Sequence, residues 1–412
     1  MNIFAIFILL AILVDFFVGL VTNMLNMKSL SQHLPNEFEG VYDAQTYAKS
    51  QKYTKARTQF GLITGAFDLL ILLSFWFNGG FNMLDSWIRG FPFNELISGI
   101  IFIVLLMIAK SILSLPFSIY STFVIEEKFG FNKTTVKIFL LDLLKGTVLG
   151  ALIGIPLLAG ILAFFIYAGA WAWLYAWLAV TGFSLLMQYI APTWIMPLFN
   201  KFILLEDGDL KTKIENYTQK VKFSLSGLFV IDGSKRSSKS NAFFTGFGKN
   251  KRIALYDTLI ENHTDEELVA VLAHEIGHYK KKHIVKGMIL SIAHSALLFF
   301  LLSFFLNEQG LFDAFYMDEI SVYAGFVFFG MLYAPIEMIL SVFMQISSRK
   351  HEFEADAFAV ETTGSKEHMI STLKKLSKDN LSNLTPHSWY VFLNYSHPPV
   401  LKRIDAIKKI KL

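Results

Sequence analysis

The sequence has no cysteine in 412 residues. That excludes disulfides, thiolate-ligated zinc and thiol nucleophiles together. Charge is scarce as well. Asp, Glu, Lys and Arg make up 17% of the chain, against about a quarter in ordinary soluble domains, which argues against a soluble enzyme. The formal net charge of +4 is small and gives no support to a nucleic-acid partner. No internal repeat and no low-complexity tract stands out. Apolar residues fill the gap: 54% are hydrophobic and 41 are Phe, with a mean hydropathy of +0.47. This excludes a disordered chain and suits helices that face lipid.

A bilayer core requires about 20 mostly apolar residues per helix. Seven stretches qualify, at 3–22, 62–82, 98–124, 146–168, 172–198, 284–306 and 320–345. The first lacks a basic start and a small-residue cleavage site, and Asp15 interrupts it. An uncleaved span is therefore expected rather than a signal peptide. With the N-terminus outside, segments 23–61, 125–145, 199–283 and 346–412 are cytoplasmic and hold 34 of the 37 Lys and Arg. The outside loop 307–319 holds four acids and no base. The positive-inside rule thus supports both the span count and the orientation.

The expected organisation follows. Residues 1–198 form a membrane domain of five spans. Residues 199–283 and 346–412 are two halves of one cytoplasmic domain, and 284–345 inserts two further spans between them. In the first half, Asp209 to Val221 has helical spacing of apolar residues, and strand-like runs cover Gly227 to Ile231, Asn241 to Thr245 and Arg252 to Tyr256. Gly246 to Asn250 is expected to be a turn.

The next helix begins at a capping box, Thr264-Asp265-Glu266-Glu267, and carries an apolar stripe through Leu268, Val271, Leu272 and Ile276. On it sits His274-Glu275-Ile276-Gly277-His278. Histidines four apart share a helix face, so His274 and His278 can converge on one zinc ion. Glu275 can then reach a water on that ion and take its proton, which suits peptide hydrolysis. His283 does not fit the spacing of a third ligand on the same segment. Glu352 is the better candidate, in Glu352-Phe353-Glu354-Ala355-Asp356. Glu352 and Asp356 share a helix face, so one carboxylate can bind zinc while the other accepts a ring N–H from a ligating histidine. Glu354 points elsewhere and is expected to be a solvated acid.

These motifs resemble those of the type 1 CAAX prenyl endopeptidases, integral-membrane zinc metalloproteases related to bacterial heat-shock-type membrane proteases. Tyr47 to Tyr53, Ser240 to Phe244, Lys249 to Ile253 and Tyr395-Ser396-His397-Pro398-Pro399 are similar to family segments in the same order. The resemblance implies a mainly α polytopic membrane protein whose seven transmembrane helices enclose a chamber, with a small α+β zinc-metalloprotease domain on the cytoplasmic side. It implies one Zn2+ per chain on His274, His278 and Glu352, with Glu275 as general base and Asp356 supporting a ligand. It implies an edge strand at Asn241 and Ala242 that pairs with the substrate, and an oxyanion role for His397. Asp15, Asp68, Lys110, His294 and Glu337 lie within spans and are expected at the chamber wall or in ion pairs.

The expected partners are the lipid bilayer and a peptide or protein substrate, prenylated or membrane-associated. The Lys-, Ile-, Phe- and Asn-rich composition suits an AT-rich bacterial genome; bacteria generally lack protein prenylation, so a bacterial member would sit in the inner membrane and serve quality-control proteolysis without prenyl dependence. A eukaryotic source would place the chain in the endoplasmic reticulum membrane. A transporter and an inactive membrane scaffold are the rival readings. The filled zinc motif distinguishes an enzyme from the transporter.

Overall fold

The computed structural model describes residues 1–225, 227–245 and 251–412. The expected turn at 246–250, with Lys249 and Asn250 of the family segment, lies outside the described residues. The helices are α1 (Ile3–Lys28), α2 (Ala44–Phe77), α3 (Gly80–Arg89), α4 (Glu95–Tyr120), α5 (Val136–Tyr167), α6 (Ala172–Ile190), α7 (Asp209–Lys220), α8 (Asp257–Asn262), α9 (Asp265–Lys280), α10 (His283–Phe305), α11 (Gln309–Asp313), α12 (Val322–Thr363), α13 (Lys366–Asp379), α14 (Ser388–Asn394) and α15 (Val400–Lys408). Seven of them are long and apolar enough to cross a membrane: α1, α2, α4, α5, α6, α10 and α12. Each matches an expected span.

The differences lie at the ends. Helix α2 starts at Ala44, well before the apolar stretch, because Asp43 caps it by accepting from Thr46 N at 2.7 Å. Helix α12 runs unbroken for 42 residues. The apolar run ends near 345, but nothing stops the helix until Gly364 adopts φ +77°, the left-handed cap that glycine favours. The carboxylates at 352, 354 and 356 therefore stand on a rigid extension of the last span.

Within the most apolar window of each span, 6–17% of residues are buried by the protein. Most of the surface of the spans is therefore free of contact with other parts of the protein, which leaves room for the expected chamber. Two of the five ionisable residues expected there pair with each other: Lys110 Nζ lies 2.5 Å from Asp68. His294 Nε2 lies 3.0 Å from Glu337, and Asp15 is exposed.

The sheet has four strands, β1 (Phe202–Leu204), β2 (Gly227–Ile231), β3 (Ala242–Thr245) and β4 (Arg252–Tyr256). Their order is β1-β2-β4-β3. Strand β1 was too short to stand out in the sequence. The pairs β1–β2 and β3–β4 are antiparallel, and β2–β4 is parallel. Among the described residues β3 is thus an edge, with a neighbour on one side only. One buried cluster joins Ile214, Ile253, Leu255, Leu272 and Ile276 to Ala359, Val360, Leu373 and Ile404. The segments before α10 and after the apolar part of α12 share this core.

Candidate metal and peptidase centre

The predicted helix is built as the residues dictate. Thr264 Oγ1 accepts from Glu267 N, and Glu267 Oε2 accepts from Thr264 N at 2.8 Å, a complete capping box. Glu267 is further held by Lys375 Nζ at 2.7 Å and Ser371 Oγ at 2.6 Å. Nine of the sixteen residues of α9 are buried. Its close approach to α12 depends on Gly277: a Cβ there would lie 3.1 Å from Ala355 Cα and 3.2 Å from Ala355 O. Any larger side chain would separate the two helices that carry the site.

That approach brings three groups together. His274 Nε2 is 3.2 Å from His278 Nε2. Glu352 contributes Oε2 at 3.5 Å from His274 Nε2 and Oε1 at 3.3 Å from His278 Nε2. Zinc bonds of about 2.0–2.1 Å in tetrahedral geometry place neighbouring ligand atoms about 3.3 Å apart. The three observed separations have that length. Glu352 Oε2 is buried and makes no direct hydrogen bond, with Arg403 its nearest cation at 3.3 Å. The residues present therefore fit a zinc ion.

The surroundings hold both imidazoles. Asp356 Oδ1 lies 2.9 Å from His274 Nδ1. Arg403, on α15, grips Asp356 through Nε at 2.8 Å and a terminal nitrogen at 2.6 Å. Its other terminal nitrogen is 3.3 Å from Glu352 Oε2. Burial pushes the His274 pKa down, but the carboxylates of Asp356 and Glu352 outweigh it and raise it to about 9. The pocket therefore favours positive charge. Glu275 keeps some exposed surface, yet the protein crowded around it desolvates its carboxyl and raises its pKa.

His397 is mostly exposed, in the loop before α15, with Nε2 3.4 Å from Glu352 Oε1. Ser396 Oγ lies 3.0 Å from its Nδ1. Asn241 lies just before β3, and its carbonyl accepts from Tyr256 N at 3.1 Å. Ala242 opens the strand opposite Leu255.

Three features were not found in the sequence. Arg403 is the first. The second is His283, whose Nδ1 lies 3.0 Å from His278 Nδ1. The third is Glu354: its Oε2 is 2.9 Å from His283 Nε2, so it is partnered rather than merely solvated. His351 stacks on His283 at 4.0 Å between ring centroids. Arg403 carried a weak signal, four residues after Pro399 on the C-terminal helix. His283 and Glu354 carried none.

Residues 204–411 match the model of peptidase family M48. Residues 23–201 match the model described as CAAX prenyl protease N-terminal, five membrane helices. The chain belongs to the M48 peptidase family. Among curated relatives, CAAX prenyl protease 1 of Saccharomyces cerevisiae is 36% identical over 402 residues, covering 91% of this chain and 88% of the relative. The CAAX prenyl protease 1 homolog of Arabidopsis thaliana is 38% identical, covering 91% of this chain and 90% of the relative. The human homolog is 34% identical, with 92% and 89% covered. The crystal structure of S. mikatae Ste24p superposes with a TM-score of 0.93 at 34% identity and covers 99% of both chains. Membership makes this M48 chain a multi-pass membrane metalloendopeptidase that acts through a metal.

Proposed function

We propose that the chain is a zinc-dependent protease that removes the C-terminal residues of CAAX-type prenylated proteins or peptides. The observation that carries the zinc assignment is the triangle of His274 Nε2, His278 Nε2 and Glu352, with edges of 3.2–3.5 Å. The relatives, CAAX prenyl proteases, carry the substrate class. The catalytic domain unites 199–283 with 346–412, a division supported by their shared core. It faces the cytoplasm, as the distribution of Lys and Arg indicates. The membrane would be the endoplasmic reticulum in a eukaryote, the kingdom of the relatives above, and the inner membrane in a bacterium.

His274, His278 and Glu352 would hold the ion. Zinc, when bound, supplies a Lewis acid and lowers the pKa of water to about 7. Asp356 fixes the His274 ring, and Arg403 fixes Asp356. Glu275 takes a proton from the attacking water as the water oxygen bonds to the scissile carbonyl carbon. It returns the proton to the leaving nitrogen as the C–N bond breaks. Burial raises its pKa above the ordinary carboxylate value, which strengthens it as a proton acceptor. The exposed His397 donates a hydrogen bond to the developing oxyanion. The free edge of β3, starting at Asn241 and Ala242, pairs with the substrate backbone.

A farnesylated CAAX peptide and its unprenylated twin test this reading, with wild type and Glu275→Gln. Wild type is expected to cleave the farnesylated peptide faster. Glu275→Gln is expected to retain zinc and lose roughly 10²–10⁴-fold in turnover, the contribution of a positioned general base. Full activity in that variant would overturn the mechanism. Equal cleavage of both peptides would favour quality-control proteolysis.

A further inference from the structure

A CAAX substrate is cut close to its end, so its new C-terminal fragment carries a free carboxylate a short distance beyond the scissile bond. The orientation of β3 says where that end lies. A substrate added antiparallel to the edge strand runs with its C-terminal side toward Asn241, the start of β3. Just before it, Ser240 N donates to Asn380 Oδ1 and Asn380 Nδ2 donates to Ser240 O, both at 3.2 Å. This pair joins the strand to the end of α13.

Asn380 lines three adjoining cavities. One of about 500 Å³ holds Asn241 and Tyr256. One of about 510 Å³ holds His397 and Arg403. The third, of about 550 Å³, shares Asn380, Ser382, Asn383 and Tyr395 with the second and ends at Tyr53 and Arg57. Neighbouring cavities that share Asn380 thus line the way from the His397–Arg403 side of the site to α2.

The cations at its far end are unequally committed. Glu126 accepts from Tyr53 at 2.7 Å and from Lys239 at 2.9 Å. Arg57 reaches the same carboxylate only at 4.0 Å, donates to Tyr53 at 3.3 Å, and leaves 59% of its side chain exposed. A guanidinium so placed can bind a carboxylate through two N–H groups.

We propose that Arg57 binds the C-terminal carboxylate of the substrate and so makes the enzyme sense the distance from the chain end. This rests on the protease reading above. The test compares three farnesylated peptides of one sequence: the free acid, its C-terminal amide, and an amide ending in Glu. KM and kcat are measured for wild type, Arg57→Gln and Arg57→Lys. The free acid is expected to have a KM about tenfold below the amide in wild type, the size of one charge-assisted hydrogen bond at a part-exposed site. Arg57→Gln is expected to erase the acid-over-amide preference, and Arg57→Lys to keep part of it. Equal KM for acid and amide in wild type would overturn the proposal and leave the protease standing. A preference unchanged in Arg57→Gln would overturn the role of Arg57. Rescue by the Glu amide would overturn the chain end as the source of the carboxylate. Failure of wild type to cleave any of the three would remove the protease reading itself.

Discussion

Helices α5 and α9 obey different rules. Of the 32 residues of α5, only Leu162 is buried by the protein. Of the sixteen of α9, nine are, including a histidine and a glutamate. Lipid is as apolar as leucine, so a span gains little by packing against another span. It can stand apart and enclose space. Helix α9 sits in water-facing protein, where burial of apolar surface drives packing and a metal site tolerates little displacement. The same chain thus sets loosely packed spans beside a tightly packed pair that brings histidines and carboxylates together.

The largest test of this contrast concerns the metal. If His278 Nε2 holds the proposed metal, its proton would sit on Nδ1, 3.0 Å from His283 Nδ1, which would accept it. His283 in turn donates from Nε2 to Glu354. Removing such support costs roughly 10–100-fold in metal affinity. His283→Ala is expected to lose that much in competition against a zinc chelator, and Glu354→Gln less. Affinities at the wild-type level in both would show that packing alone orients His278.

Next comes glycine. Gly277 has Ala355 backbone within 3.2 Å of where a Cβ would stand, whereas Gly154 on α5 has nothing within 4 Å. Leucine at 277 is expected to destabilise by about 1–3 kcal/mol, the cost of overpacking, and to reduce zinc retention. Leucine at 154 is expected to change the unfolding temperature in detergent little. Equal effects at the two positions would erase the distinction between the helices.

The smallest effect belongs to Lys110 and Asp68. Both side chains are about half exposed, at 57% and 48%. Replacing the pair by Gln and Asn is expected to cost less than about 1 kcal/mol, read by thermal unfolding. A loss comparable to that at Gly277 would mean the spans depend on specific contacts after all.

Much of the site was legible because its logic is local. Thr264 and Glu267 mark a helix start, and a spacing of four puts His274 and His278 on one face whatever surrounds them. Glu352 and Asp356 follow the same rule on their own helix. Arg403 meets Asp356 across 47 residues and Glu354 meets His283 across 71. No periodicity connects such pairs. The start of α2 and the length of α12 were hidden for another reason: apolar runs mark where lipid ends, and helices continue past that point until a cap stops them.

The sequence by itself determined which segments enter lipid, which side carries the positive charge, and which residues could hold a metal, because hydropathy and helical spacing act over one or a few turns. Only the tertiary structure decided that α9 and α12 meet at Gly277 and Ala355. That approach brings His274, His278 and Glu352 to separations of 3.2–3.5 Å and sets Arg403 and His283 behind them. These depend on how separate helices rotate and press together, and packing in three dimensions fixes that.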